Sequence, residues 1–211
     1  MKAALFDLDN TLYAPERNLF ALIDVRINRY MREVVKIAPE RVDGLRRDYW
    51  KNYGATLQGL IRHHRVDAED YLDYVHDVDV HGHLSADPAL GLALQQLPIR
   101  RYVFTNGSRA HAERVLRALG LEGLFEEIFD IRIANYQPKP NVEPYRGVLR
   151  RLNRPAKDCI MIEDSGENLK TARRLGMKTM LVGAQDPCPH ADHQATDACQ
   201  AVKTLGALLS A

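Results

Sequence analysis

The sequence lacks every feature that would take it out of the ordinary globular class. No run approaches the ~18 consecutive apolar residues of a membrane-spanning helix, and the chain enters a strand-like segment at once, without a secretory leader pattern. The expectation is a cytoplasmic protein that needs no membrane. Lys plus Arg number 29 and Asp plus Glu 28, a formal charge of +1, so no general electrostatic drive favours a nucleic-acid polymer or anionic lipid. Cys159, Cys188 and Cys199 form neither an even framework nor a C-x-x-C pair, which predicts reduced thiols. Internal repeats and low-complexity segments are missing too. What is present, 211 residues with 45% apolar and 27% charged, fits one sizeable core with room for a modest insertion.

Along the chain, a short apolar run, Ala3-Ala4-Leu5-Phe6, precedes a block with purely helical texture. Leu19, Leu22, Ile23, Ile27, Tyr30, Met31 and Val34 recur at three- and four-residue spacings, which predicts a long amphipathic helix. Ala38-Pro39-Glu40 starts another through Trp50, Gly54 interrupts, and Thr56 to Arg65 and Ala68 to Val78 read as two more. Asp87-Pro88 has the pattern of an N-cap followed by a first-turn proline. From Ile99 strands and helices alternate: strands to Phe104, from Phe129 to Ile133, from Cys159 to Ile162 and from Thr179 to Val182. Helices are expected from Arg109 to Leu119, from about Asn141 to Leu152, from Gly166 to Leu175 and from Cys199 to Leu209. Short apolar runs separated by helices predict an α/β fold with a parallel sheet covered on both faces. Residues 1–13 and 87–211 are expected to form that core, with 14–86 inserted as an all-helical cap over the carboxyl ends of the strands, where such sheets bind ligands.

The strand ends carry the chemistry. The first runs into Asp7-Leu8-Asp9, whose alternate acids can project one way while Leu8 turns inward, provided the backbone stays extended. Two like charges in one small space raise the pKa of one unless a cation sits between them. The second strand leads to Thr105-Asn106-Gly107-Ser108, whose hydroxyl and freed N–H groups at a helix start suit phosphate oxygens. Lys139, between two prolines, can pair with a carboxylate nucleophile and with phosphate. Glu163-Asp164-Ser165 ends the fourth strand, and Asp164 completes an oxygen site for a small hard cation such as Mg²⁺.

Singly, each feature is more simply a cap or a solvated side chain: Thr105 and Ser108 as caps near Arg109, Lys139 as a loop lysine, Asp164 or Ser165 as an N-cap. Four in order, all at strand ends of one sheet, are hard to obtain from capping alone. His63-His64, His81 and His83 read as solvated or packing residues, and Cys188-Pro-His190-Ala-Asp192-His193 as a loop without zinc-ligand spacing.

Taken together, Asp7-Leu8-Asp9-Asn10-Thr11, Thr105-Asn106-Gly107, Lys139 and Glu163-Asp164-Ser165-Gly166-Glu167-Asn168 closely resemble the four motifs of the haloacid dehalogenase superfamily of phosphatases, over nearly the whole chain. The resemblance implies a Rossmann-like core with a C1-type helical cap, and a Mg²⁺-dependent phosphomonoester hydrolase. It makes Asp7 the nucleophile that becomes an aspartyl phosphate and Asp9 the acid that protonates the leaving group and then activates water. It gives Mg²⁺ to Asp7, Asp164 and the main-chain carbonyl of Asp9, and phosphate to Thr105, Asn106, Gly107 and Lys139. Glu163 stands where many relatives have Asp, and is expected behind the metal rather than on it. Dehalogenases of the superfamily need no metal and differ at the second acid, so Asp9 favours phosphate. A phospho-acceptor receiver module uses similar groups, but its acceptor lies mid-chain and it needs no helical lid.

In the cap, Tyr49-Trp50-Lys51-Asn52-Tyr53-Gly54-Ala55-Thr56-Leu57-Gln58-Gly59-Leu60 is similar to a segment of the pyrimidine 5′-nucleotidase branch, where a Tyr-Gly step and a Gly-Leu pair flank a polar turn over the site. That similarity implies UMP and CMP as substrates, with sugar phosphates or phosphoglycolate as the alternative. Tyr49 and Tyr53 offer ring faces and hydroxyls, and Thr56 and Gln58 can hydrogen-bond base or sugar edges. Trp50 is expected in the core of the cap. The expected partner is a small phosphate monoester, and the expected assembly a monomer or homodimer.

Overall fold

A computed structural model of the chain describes residues 1–183 and 186–210. Strand β1 (Ala3–Phe6) is followed by helices α1 (Leu19–Glu33), α2 (Pro39–Tyr53), α3 (Thr56–His64) and α4 (Ala68–His76). Then come α5 (Pro88–Gln96), β2 (Arg100–Phe104), α6 (Arg109–Ala118), β3 (Glu127–Phe129), α7 (Val142–Leu152), β4 (Cys159–Glu163), α8 (Gly166–Arg174), β5 (Lys178–Val182), β6 (His193–Ala195) and α9 (Ala198–Ser210).

The six strands form one sheet in the order β3-β2-β1-β4-β5-β6, with every pair parallel. Strand side chains alternate between two separate cores, as the two-residue period demands. Ala4, Phe6, Val103, Ile160 and Ile162 pack with Leu90, Leu94, Val115, Val202 and Leu205 of α5, α6 and α9. Ala3, Leu5, Tyr102, Cys159 and Met161 pack with Tyr145, Val148, Leu169 and Ala172 of α7 and α8. Both faces are therefore covered, and the reading of the sheet as a buried Rossmann-like α/β core holds. Strand order reverses at β1, whose Phe6 lies opposite Val103 on one side and Ile162 on the other. A crevice at the carboxyl end of such a switch point is where an open α/β sheet binds its ligand.

Two strand expectations need correction. The third strand is Glu127–Phe129, and Ile131–Ala134 that follow form a 3-10 turn. Ile131 leaves the sheet to join the core of the helical segment, while Ile133 packs under the α7 face, so two apolar residues that look like strand serve two different cores. The stretch before the last helix contains β6, paired to β5 from Met180–His193 to Val182–Ala195. Its His-Gln-Ala composition gives no hydrophobic signal.

Helices α1 to α4 have their own hydrophobic centre. Ile23, Ile27, Tyr30, Met31, Val42, Leu57, Leu60, Leu72 and Val75 are buried together, and Tyr30 meets the rings of Tyr71 and Tyr74 edge-on. Helices α2 and α3 approach so closely at Gly59 that an added Cβ would sit 2.0 Å from Tyr49 Cγ, which only glycine permits at this spot. The segment is tied to the sheet by polar contacts: Gln58 Nε2 donates to the Tyr136 carbonyl at 2.7 Å, Arg114 Nη2 donates to the His76 carbonyl at 2.6 Å, and Glu69 pairs with Arg132 and accepts from Tyr136. Trp50 is not in this core; it is 62% exposed.

Candidate active site

The backbone stays in the ladder one residue past β1, since Asp7 N–H donates to the Ile162 carbonyl at 2.9 Å. The chain then turns through Asn10, whose φ of 62° is left-handed, with Leu12 N–H returning to the Leu8 carbonyl. This turn sends the two acids to different partners. Asp7 Oδ1 accepts from Lys139 Nζ at 2.7 Å and Oδ2 from the Thr11 hydroxyl at 3.2 Å. Asp9 Oδ1 accepts from Tyr13 Oη at 2.6 Å and stands 2.8 Å from His111 Nε2. Both line one cavity of about 300 Å³ together with Asn106, Lys139, Glu163 and Asp164, but the charges that crowd Asp7 come first from Glu163, and from Asp9 only as a minor contribution.

Lys139 is the hub. Its ammonium has three protons and three acceptors at 2.7 Å: Asp7 Oδ1, Glu163 Oε2 and the Phe104 carbonyl. It is almost wholly buried, lies 4.9 Å over the Phe104 ring, and a fully partnered buried ammonium is the arrangement that avoids the heavy cost of a lone buried charge. Burial would lower its pKa, but the charges of Asp7 and Glu163 outweigh that and raise it. The loop that carries it is clamped by a reciprocal amide pair, Lys139 N–H to Asn106 Oδ1 at 2.7 Å and Asn106 Nδ2 to the Lys139 carbonyl at 3.0 Å. Asn106, expected on phosphate, lines the cavity while one of its amide N–H donors and its amide oxygen hold this loop.

The acids outnumber the cation. Carboxylate oxygens of Asp7, Glu163 and Asp164 lie within 4.8 Å of one another, while Lys139 supplies one positive charge. Burial and the charge of Glu163, opposed by Lys139, push Asp7 up to about 7. Burial, opposed by Lys139 and reinforced by Asp164, pushes Glu163 up to about 7. Asp164 is raised as well, by burial and then by Asp7. A trio of oxygen donors, two buried and Asp164 partly exposed, and short of positive charge, fits a hard divalent cation, which would restore these carboxyls to their ionised forms. Glu163 has one oxygen on Lys139 and the other 3.4 Å from Ser165 N–H, so its geometry serves the lysine. The carboxylate of Asp9 is not part of the trio, and its remaining route to a cation is the main-chain carbonyl.

Asp9 sits in the opposite electrostatic setting. Burial alone would lift its carboxyl, but the imidazole of His111, by charge and by hydrogen bond, and the Tyr13 hydroxyl hold it below its ordinary value. His111 is fully buried on α6, and His76 of α4 stacks on it with ring centroids 4.6 Å apart and planes 15° from parallel. Neither histidine stood out in the sequence. The signal for His111 is its register: it shares the inward face of α6 with Ala112 and Val115, where a polar residue is unusual.

Thr105 is buried, and its Oγ1 accepts from Gly107 N–H at 2.9 Å; it lies behind the cavity wall rather than among its lining residues. Ser108 and Ser165 cap α6 and α8, so the modest structural reading of these two serines is correct beside the chemistry of their neighbours. A second cavity of about 270 Å³ opens between sheet and helical segment, lined by Ile23, Trp50, Thr56, Leu57, Tyr71 and Val75 among others, and shares Asp9, Phe20, Trp50, Gly54 and Asn106 with the first. Thr56 and Gly107 line it; Tyr53 lines neither cavity, because its hydroxyl turns to His63 Nε2 at 2.8 Å. Tyr49 is likewise spent on His64 and on stacking with His63, and Gln58 on Tyr136. Trp50 takes the place expected of the tyrosines.

A family model described as haloacid dehalogenase-like hydrolase matches residues 1–176. Phosphate metabolism protein 8 of Saccharomyces cerevisiae is 25% identical over 194 residues, 83% of this chain and 60% of that protein. Enolase-phosphatase E1 of Pectobacterium carotovorum is 31% identical over 106 residues, 48% of this chain and 44% of that protein. The chain thus spans less than two thirds of the length of these curated relatives. Among solved structures, CbbY from Rhodobacter sphaeroides in complex with phosphate superimposes with a TM-score of 0.66 at 20% identity, covering 95% of this chain and 96% of that one. The hydrolase YfnB from Bacillus subtilis bound to magnesium gives 0.61 at 18%, covering 97% and 98%. At these identities the structures speak for the fold.

Proposed function

The chain belongs to the haloacid dehalogenase-like hydrolases, and on that premise we propose that it is a Mg²⁺-dependent phosphomonoester hydrolase acting through an aspartyl phosphate on Asp7. The observation that carries the reading is the division of labour between Asp7 and Asp9: both line one cavity, yet one is held by a buried lysine and the other by a histidine and a tyrosine. The lysine beside Asp7 lowers the cost of an ionised, nucleophilic carboxylate there, while the two donors on Asp9 fix the orientation of a second carboxyl in the same cavity.

Asp7, its carboxylate oriented by Lys139 and Thr11, attacks phosphorus; the ester P–O bond breaks and Asp9 delivers a proton to the departing oxygen. Water then attacks the aspartyl phosphate, Asp9 takes the proton, the bond to Asp7 breaks, and phosphate and the free carboxylate are regenerated. Lys139 stays paired throughout and offsets the repulsion between Asp7 and an incoming phosphate. Asp7, Asp164 and the Asp9 carbonyl would hold Mg²⁺, which when bound neutralises charge on the phosphate oxygens. Backbone N–H groups of the Asn106-Gly107 turn at the start of α6 suit the same oxygens. Residues 14 to 86 act as the cap over this chemistry.

For the substrate we propose pyrimidine nucleoside 5′-monophosphates. The second cavity joins the first at Trp50 and Phe20 and is walled by apolar side chains such as Ile23, Leu57 and Val75 together with the polar groups of Asp24, Arg46, Thr56 and His76. The apolar part suits the face of a flat ring and the polar groups its hydrogen-bonding edges. Initial rates with Mg²⁺ on UMP, CMP, AMP, GMP, sugar phosphates and phosphoglycolate test it; a higher kcat/KM for any of the last four than for UMP removes the pyrimidine nucleotide assignment and leaves the phosphatase.

A further inference from the structure

Both donors that reach the Asp9 carboxylate choose the same oxygen. His111 Nε2 lies 2.8 Å and Tyr13 Oη 2.6 Å from Oδ1, and neither is on Oδ2. A carboxylate oxygen only accepts, so Nε2 carries a proton, and Nδ1, fully buried, has no hydrogen-bond partner among the described residues. An apolar side chain of similar shape would fill this space on α6 without stranding a polar atom, so packing alone does not account for an imidazole here.

The ring is fixed from several sides. His76 stacks on it from the cap side; Ser108 Oγ is 3.2 Å from His76 Nδ1, and Arg114 Nη2 donates to the His76 carbonyl. The turn at Gly107 closes against both rings, since a Cβ there would be in ordinary contact with His111 Cδ2 at 3.4 Å and His76 Nε2 at 3.5 Å. One face of the stack belongs to the sheet layer and the other to α4, so the acid is oriented by a joint between the two.

We propose that His111 is the positioning residue for the acid–base group: by occupying Oδ1 it makes Oδ2 the atom that gives its proton to the leaving oxygen and later takes one from water, and His76 holds the imidazole in register. This rests on Asp9 being the acid. In the first step the ester P–O bond breaks as the proton passes from Asp9 Oδ2 to the departing oxygen. In the second, the O–H of the attacking water breaks, its proton returns to Oδ2, and the P–O bond to Asp7 is released.

The test is a series of phosphate esters from dinitrophenyl through nitrophenyl to alkyl, measured with His111→Leu, His111→Gln, His111→Asn and Asp9→Asn. Because general acid catalysis typically contributes ~10²–10⁴-fold, His111→Leu should lose ~10²-fold in kcat on the alkyl ester and under ~5-fold on the dinitrophenyl ester, with KM nearly constant. Gln, whose amide nitrogen reaches about as far as Nε2, should restore most of the loss, and Asn, one bond shorter, should not. His76→Phe, which keeps a stacked ring, should stay near the parent while His76→Ala follows His111→Leu. Equal losses on all esters, or Gln and Asn behaving alike, overturn the positioning role; the Gln and Asn comparison decides the matter even where the leucine variant does not fold. Asp9→Asn separates the two ideas: if it shows the leaving-group dependence and His111→Leu does not, only the His111 proposal falls, whereas if Asp9→Asn shows none, the acid assignment falls with it.

Discussion

Lys139 Nζ and Glu163 Oε2 meet at 2.7 Å with both side chains 1% exposed. A pair this deeply enclosed makes removal of one member expensive, about 3–5 kcal/mol for a buried ion pair left half-broken. Lys139→Met should therefore lower stability by that order and abolish turnover, because Asp7 and Glu163 lose the ammonium that pairs with both. Glu163→Gln keeps an acceptor oxygen for the lysine and should be folded and partly active. Urea titrations and initial rates on the two variants check this; a Lys139→Met protein as stable as the parent would contradict the enclosed pair.

The same acids make stability depend on pH in an unusual direction. Asp7 and Glu163 are raised from 3.8 and 4.5 to about 7, so between those values the folded chain binds more protons than the unfolded one. Their contribution is fully present below the ordinary carboxyl range and is lost as pH rises through about 7. In chelator, Glu163→Gln should gain stability relative to the parent on going from about pH 5 to about pH 8. Added Mg²⁺ should raise the melting temperature of the parent more at the higher pH, where protons no longer compete, and Asp164→Ala should blunt that rise. An equal metal-induced shift at both pH values would tell against the acidic trio as the binding place.

Asp7→Asn retains the shape of the side chain and its place beside Lys139 but lacks a nucleophilic carboxylate. Loss of at least ~10³-fold in kcat in a protein that still folds is expected, since a covalent route cannot begin without that group. Turnover within tenfold of the parent would remove Asp7 from the nucleophile's role; mass spectrometry of an acid-quenched reaction should find phosphate on Asp7 in the parent alone.

Trp50→Ala probes the wall between the two cavities. The indole is exposed, so the change in folding stability should stay within about 0.5 kcal/mol. Stacking a base on an aromatic ring contributes about 1–3 kcal/mol, so KM for UMP should rise ~10-fold with little change for a small alkyl phosphate. Tyr53→Phe, whose hydroxyl faces His63, should alter neither.

Most of the sheet was legible because its central strands are short, buried on both faces and written almost entirely in apolar residues, from Ala3-Ala4-Leu5-Phe6 to Cys159-Ile160-Met161-Ile162. The edge was not: β6 reads His193-Gln194-Ala195, and its pairing depends on β5 rather than on its own composition. Within the site, residues that follow a strand directly, such as Asp7 and Asp164, announce themselves by position. His111 acts across 102 positions of sequence on Asp9, and no local pattern encodes such a distance; only the inward face of α6 hinted at it. Trp50 and Tyr53 were exchanged because both lie near the end of α2, and which of them meets the cavity is decided by His63 on α3, which draws the Tyr53 hydroxyl away.

The place of β1 between β2 and β4 bears on how the protein comes into being. Asp7 and Lys139 are 132 positions apart, and Thr11 and Asp164 153. As the chain leaves the ribosome, β1, which precedes β2 to β6 in sequence, waits for its second neighbour with one edge open to any other strand until Cys159–Glu163 emerges. Helices α1 to α4, which share a hydrophobic centre of their own, are synthesised during that wait. Nascent chains ending before β4 therefore carry Asp7 and Lys139 but lack Glu163 and Asp164, the two acids that stand beside them in the folded site.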